Sequence, residues 1–245
     1  MSGSGLRFKG SVALVTGAGS GIGRAVALAL AADGAVAWLA GRRPGPLQAV
    51  AEHARAAGGE AVACPADVGA EPDVDRLAAR LRSEAGRLDV LVHAAGAYAR
   101  GPVHAARVAD LDAQYATNLR GPWALTHAVL PMLEAASGQV VFVNSMVGLR
   151  AAAGVAQYAA TKHALRGLAD ALRDEVNERG IRVLTVYVGR TATPMQAAIH
   201  AAEGKRYVPG RLLQPDDVAA MVMAALALPR TAEVTDITIR PRMKA

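Results

Sequence analysis

Short apolar runs alternate along the chain with longer stretches whose apolar residues recur every three to four positions. The two patterns predict different elements, because side chains repeat at every second residue in a strand and once per turn in a helix. Val12-Ala-Leu-Val-Thr16 reads as a strand, Ile22 to Ala32 as a helix and Ala35 to Ala40 as a second strand. Pro44 to Ala57 is predicted helical, Glu60 to Cys64 a strand, Val74 to Ala85 a helix and Leu88 to Val92 a fourth strand. A long helix is expected over Leu111 to Leu133 with a kink at Pro122, then a strand at Val140 to Asn144. A helix over Gln157 to Glu178, a strand over Arg182 to Val188, a helix over Pro215 to Leu228 and a strand over Val234 to Ile239 complete the series.

Several of these strands are apolar at nearly every residue rather than at alternate ones. That is the mark of burial on both faces, as in a parallel sheet covered by helices. With no long linker, low-complexity segment or internal repeat, the alternation predicts an α/β fold. The expected architecture is a single domain spanning 1–245, a Rossmann-like doubly wound parallel sheet with helices on both faces.

Composition narrows the function classes. Hydrophobic residues make up 52% of the chain and charged ones 20%, so there is material for a buried core that a disordered chain lacks. A net charge of +6 raises nucleic-acid binding. The arginines are scattered, however; only Arg42-Arg43 and the tail Arg240, Arg242, Lys244 cluster, and no basic run is interleaved with aromatics, so no nucleic-acid partner is expected. The longest apolar stretch, Ala25 to Ala40, is broken by Asp33 and Gly34, which excludes a membrane span there. Met1 to Gly10 has no apolar signal core. Cys64, the only cysteine, fits a reducing compartment, and a cytoplasmic location is expected. The histidines show no ligand-spaced pair, so no metal is expected.

The first strand runs into Thr16-Gly17-Ala18-Gly19-Ser20-Gly21-Ile22-Gly23, and a helix follows. Glycines let backbone approach a pyrophosphate, and the helix N-terminus offers free N–H groups and positive dipole. A tight turn alone would also favour glycine; the position after the first strand of an alternating chain favours the nucleotide. At the end of the second strand, where a carboxylate would accept from a ribose hydroxyl, stand Gly41-Arg42-Arg43. Planar guanidinium groups suit a 2′-phosphate, so NADP(H) is expected over NAD(H).

The glycine spacing resembles the T-G-x-x-x-G-x-G motif of the short-chain dehydrogenase/reductase family, and the likeness extends from Val12 to about Ile239. The resemblance implies cofactor contacts at Gly17, Ser20, Gly21, Ile22 and Gly23, with Asp67 and Val68 at the adenine. It also implies a backbone contact at Ala95 and Gly96, although His93-Ala94 replace two asparagines usual in the family. Thr191 and Thr193 match carboxamide-contacting threonines, with Val188 where the family usually has proline. Asn118 matches a position that holds a water in a proton relay behind the lysine.

Tyr158 and Lys162 lie four residues apart, hence on one face of a helix. A nearby cation lowers a phenol's pKa by favouring phenolate, and on that ground Lys162 is expected to depress Tyr158. Lysine is rare here, four against 23 arginines, so its use at this spot points to a specific need. Ser145 follows an apolar strand and should sit at its C-terminal edge, where open α/β sheets bind ligands. The four candidates, Asn118, Ser145, Tyr158 and Lys162, resemble the family's catalytic set, which implies hydride transfer between NADP(H) and a carbonyl/alcohol pair. Tyr158 would be the general acid/base, and Tyr158 and Lys162 would also contact the cofactor.

A serine hydrolase is disfavoured because Val143-Asn-Ser145-Met-Val147 is not a nucleophile elbow and His163 faces no partner. A non-catalytic NADP(H) sensor or scaffold on the same fold is the other alternative. Met195 to Gln214 should form a lid, with Ala197, Ile199, Tyr207 and Leu212 among its residues, over a small to medium substrate. The resemblance implies a homodimer or homotetramer.

Overall fold

The computed structural model describes residues 5–243, so Met1 and Lys244 lie outside the described residues. Seven strands form one parallel sheet: β1 (Val12–Thr16), β2 (Val36–Gly41), β3 (Glu60–Pro65), β4 (Val90–His93), β5 (Gln139–Ser145), β6 (Arg182–Val188) and β7 (Asp236–Ile239). Their spatial order is β3-β2-β1-β4-β5-β6-β7. The chain moves outward from β1 to β3, then crosses back to place β4 on the other flank of β1. Such a reversal opens a crevice at the C-terminal strand ends.

The described residues form eight α-helices: α1 (Gly21–Ala32), α2 (Pro44–Ala56), α3 (Glu71–Glu84), α4 (Val108–Tyr115), α5 (Gly121–Ala136), α6 (Ala156–Val176), α7 (Pro194–Ala202) and α8 (Pro215–Leu226). The uniformly apolar strands have a direct explanation. Ala13, Val15, Ala37, Leu39, Val141 and Val143 point to the layer of α1, α2 and α8, whereas Val12, Leu14, Trp38, Ala40, Val140 and Phe142 point to that of α3, α5 and α6. Successive side chains leave opposite sides of a pleat, so a strand with helices on both sides must be apolar throughout.

The helix expected over 111–133 is two helices joined by a π-turn at Ala116–Arg120. The Gly121 N–H reaches the Ala116 carbonyl, five residues back. Pro122 has no N–H for the Asn118 carbonyl and its ring would crowd that group, so the ladder widens just ahead of the proline. Gly121 is required here for a second reason: a Cβ would lie 2.4 Å from the Val68 carbonyl oxygen. The turn thus packs tightly against the loop after β3 and leaves Asn118 facing inward, 1% exposed.

Among the described residues no helix is long and apolar enough to cross a membrane, and no group of three or more His, Cys, Asp or Glu gathers as metal ligands would.

Candidate active site

A cleft of about 650 Å³ runs along the C-terminal strand ends. At one end the glycine loop is folded on itself. A Cβ on Gly23 would lie 2.5 Å from the Gly17 carbonyl oxygen, and one on Gly17 2.8 Å from the Ala94–Ala95 backbone. Gly17 and Gly21 also have positive φ, +66° and +54°, where side chains are costly. Ser20 immediately precedes α1 without capping it, and Ser20, Gly21, Ile22 and Gly23 all line the cleft. This cradle admits backbone approach and presents the α1 N-terminus, so it fits a dinucleotide pyrophosphate. Arg42 and Arg43, both exposed, line the same end, as do Asp67, Val68, Ala95 and Gly96.

At the other end Ser145 is the last residue of β5, and its Oγ accepts from the Val147 N–H at 3.4 Å. Tyr158 and Lys162 project from the first turns of α6 into the same cleft. The Lys162 Nζ donates to the Val143 carbonyl at 3.0 Å and lies 5.8 Å from the Tyr158 ring centroid. Burial lowers the Lys162 ammonium to about 8.

One expectation is corrected here. The Tyr158 phenol is shifted up overall, not down. Burial pushes that phenol up to about 12, with the Ser145 hydroxyl pulling the other way and Tyr98 adding to the rise. Loss of water penalises the phenolate more than its surroundings compensate it.

Asn118 is fully engaged. Its Oδ1 accepts from the Ala97 N–H at 2.8 Å, and its Nδ2 donates to the Ala97 carbonyl at 2.9 Å and the Thr161 hydroxyl at 3.1 Å. It ties the loop after β4 to α6, next to Lys162, and does not line the cleft. His163 bonds the Ala159 carbonyl through Nδ1 at 2.8 Å. His93, which replaces the first of two asparagines, is buried core: its Nε2 meets the Thr126 hydroxyl at 2.8 Å, its ring stacks on Phe142, and burial, then Lys162, hold it at about 3, hence neutral.

The lid begins after β6. Val188 pairs with both Ser145 and Ile239, extending the ladder where a proline would interrupt it. Thr191 turns its hydroxyl to the Gly189 carbonyl, and Thr193 caps α7 by accepting from the Gln196 N–H; both line the cleft. A bridge between Thr191 and Leu213 pins the two ends of the lid together. Ile199 lines the cleft, whereas Tyr207 packs edge-on against His200.

Known proteins resemble this arrangement closely. Residues 11–204 match the family model of short chain dehydrogenases. The chain belongs to that family. An uncharacterized oxidoreductase from Staphylococcus aureus strain USA300 is 33% identical over 231 residues, 94% of this chain and 96% of its own. Among solved structures, a short chain dehydrogenase from Burkholderia cenocepacia J2315 in complex with NADP shares 34% identity, with a TM-score of 0.84 over 95% of this chain and 97% of that one. An actinorhodin polyketide ketoreductase variant with NADPH shares 30% identity, with a TM-score of 0.87 over 94% and 95%.

In this short-chain dehydrogenase, three supporting groups escaped sequence reasoning. The Thr16 hydroxyl accepts from the N–H groups of both Ala94 and Ala95 at 3.1 Å, clamping the loop after β4 to the end of β1. Asn144 bridges the Ser145 N–H and the Lys162 carbonyl, fixing β5 against α6. Tyr98 sits edge-on to Tyr158 with ring centroids 5.0 Å apart. Thr16 ends β1 as its lone polar side chain, and Asn144 directly precedes Ser145 after an apolar run, signals that were available; Tyr98 carried none.

Proposed function

We propose that this short-chain dehydrogenase moves hydride between NADP(H) and the carbonyl/alcohol carbon of a small to medium substrate, with Tyr158 passing the proton. One observation carries the reading: a single cleft joins the glycine cradle and the exposed Arg42 and Arg43 to Ser145, Tyr158 and Lys162. The NADP and NADPH named with relatives of 30% identity or more support the choice of cofactor, as does guanidinium chemistry at the end of β2.

The nicotinamide cofactor supplies or accepts the hydride. The chain's residues do the rest. Gly17, Gly21 and Gly23 admit the pyrophosphate, and Arg42 and Arg43 receive the 2′-phosphate. Ser145 donates to the substrate oxygen and orients it. Tyr158 remains protonated at neutral pH, since its phenol is held at about 12. It is therefore set as the acid that gives its proton to the oxygen during carbonyl reduction. Lys162, a buried cation anchored by Val143, steadies negative charge on the phenol oxygen after that transfer. Asn118 acts by holding the loop at Ala97 against α6 rather than by touching substrate.

Turnover of a panel of ketones and aldehydes, followed by nicotinamide absorbance with NADPH and with NADH at equal concentration, tests the proposal. NADPH should be strongly preferred; preference for NADH overturns the cofactor assignment, and turnover of no carbonyl overturns the enzyme reading. Association as a homodimer or homotetramer would bury Val108, Leu111 and Trp123, which are exposed on α4 and α5. Mass in solution tests it.

A further inference from the structure

The same cleft holds a cluster of charge. Glu203, just after α7, takes Arg100 at 2.7 Å, Arg190 at 3.0 Å and Lys205 at 2.9 Å. Three cations therefore share one carboxylate, leaving a surplus of two positive charges. Arg100 follows β4 and Arg190 follows β6, and both line the same cleft as Ser145 and Tyr158. Burial works to raise the Glu203 carboxyl, but hydrogen bonds from Lys205 and Arg190 outweigh it and hold the group at about 2, so it is a fixed anion.

The Arg190 guanidinium is only half used. Its Nη2 donates to both Glu203 oxygens, at 3.1 and 3.0 Å. Its Nη1 is buried and has no hydrogen-bond partner among the described residues. A buried charged donor left unmatched is costly, and a guanidinium offers paired N–H groups that suit a carboxylate.

Tyr98 fixes where this cluster lies relative to the chemistry. Its ring is edge-on to Tyr158, and its phenol, raised mainly by burial, feels Arg100, Glu203 and Arg190 together. Tyr98, Tyr158, both arginines and Glu203 line the same cleft.

We propose that the substrate is an oxo acid, or the matching hydroxy acid, whose carbonyl is held by Ser145 and Tyr158 and whose carboxylate is received by Arg190 and Arg100. The inference rests on the reaction proposed above. The carbonyl carbon gains hydride from the reduced nicotinamide, its oxygen gains the Tyr158 proton, and the carboxylate is unchanged. With Tyr98 packed against Tyr158 in the cleft that Arg100 and Arg190 also line, the carboxylate is assigned a place several bonds from the carbonyl rather than next to it. Glu203 competes for the same guanidinium and tunes the site.

The test compares kcat/KM with NADPH for levulinate and methyl levulinate, and for pyruvate and methyl pyruvate. Levulinate should exceed its ester by about ten- to a hundredfold, the scale of one charge-assisted hydrogen bond, and pyruvate should show no such gain. Arg190→Gln should bring the levulinate ratio close to one, Arg100→Gln should lower it less, and Glu203→Gln should raise it. A role in lid folding alone would not move these ratios in opposite directions.

Thermal unfolding provides a readout free of turnover: levulinate should raise Tm more than its ester does. An ester turned over as well as the acid, or a Tm indifferent to the carboxylate, overturns the anion site while leaving carbonyl reduction standing. Dihydroxyacetone phosphate outperforming levulinate would reassign the anion as a phosphate and overturn the oxo acid. Failure of every carbonyl, acid, ester or neutral, sinks the reaction itself.

Discussion

At the glycine end of the cleft, backbone meets backbone: Gly23 lies on the Gly17 carbonyl, and Gly17 on Ala94 and Ala95. At the far end, side chain meets side chain, with Arg100, Arg190 and Lys205 converging on Glu203. The first end is set by the path of the chain and does not depend on which polar residues surround it. The second is set by four side chains, each replaceable without moving a strand. An end built from backbone and an end built from side chains can therefore share a single cleft.

The largest expected effect lies where the two ends meet. Tyr158→Phe should lower turnover by about a hundredfold or more, the loss of a positioned general acid; kcat close to the parent's would remove Tyr158 from the chemistry. Next, replacing Arg42 and Arg43 together by Gln should cut the NADPH-over-NADH ratio of kcat/KM by about ten- to a hundredfold, as loss of charged hydrogen bonds implies. An unchanged ratio would mean that the glycine end alone selects the cofactor. Gly23→Ala should cost about 1–3 kcal/mol of stability, the usual penalty of overpacking, read as a fall in Tm. A Tm equal to the parent's would show that the cradle yields.

The pH dependence is gentler. Lys162, lowered to about 8, loses its charge as pH rises through that value, while Tyr158 keeps its proton up to about 12. Carbonyl reduction should thus decline above about pH 8 with no loss of the Tyr158 acid. A rate that climbs across that range contradicts the assignment. The smallest effect, and an opposite control for Gly23, is Gly167→Ala inside α6. Nothing lies within 4 Å of its Cβ, and a gain of about 0.5 kcal/mol is expected from lost chain entropy.

What the sequence made legible follows the same division. The strands were readable because burial on both faces leaves an uninterrupted apolar run, as in Val140-Val-Phe-Val143. Ser145, Tyr158 and Lys162 were readable because a strand edge and a helical spacing place them without knowledge of anything distant. The π-turn was not: Pro122 signalled an irregularity, but whether the helix bends or widens depends on the Val68 carbonyl packed against Gly121. The Tyr158 pKa was misjudged because the spacing to Lys162 shows the cation and hides the desolvation. The Glu203 cluster was invisible because Arg100 and Arg190 are far apart in sequence, and only the fold brings them together.

The bridge from Thr191 to Leu213 has a bearing on redesign. Because the span between those residues leaves the sheet and returns to the same point, it behaves as an interchangeable cassette. Lengthening such a closed loop costs only about 0.6 kcal/mol per doubling. Segments of other sizes and charges, grafted between these two anchors, would reshape the mouth of the cleft while the strands beneath stay in register.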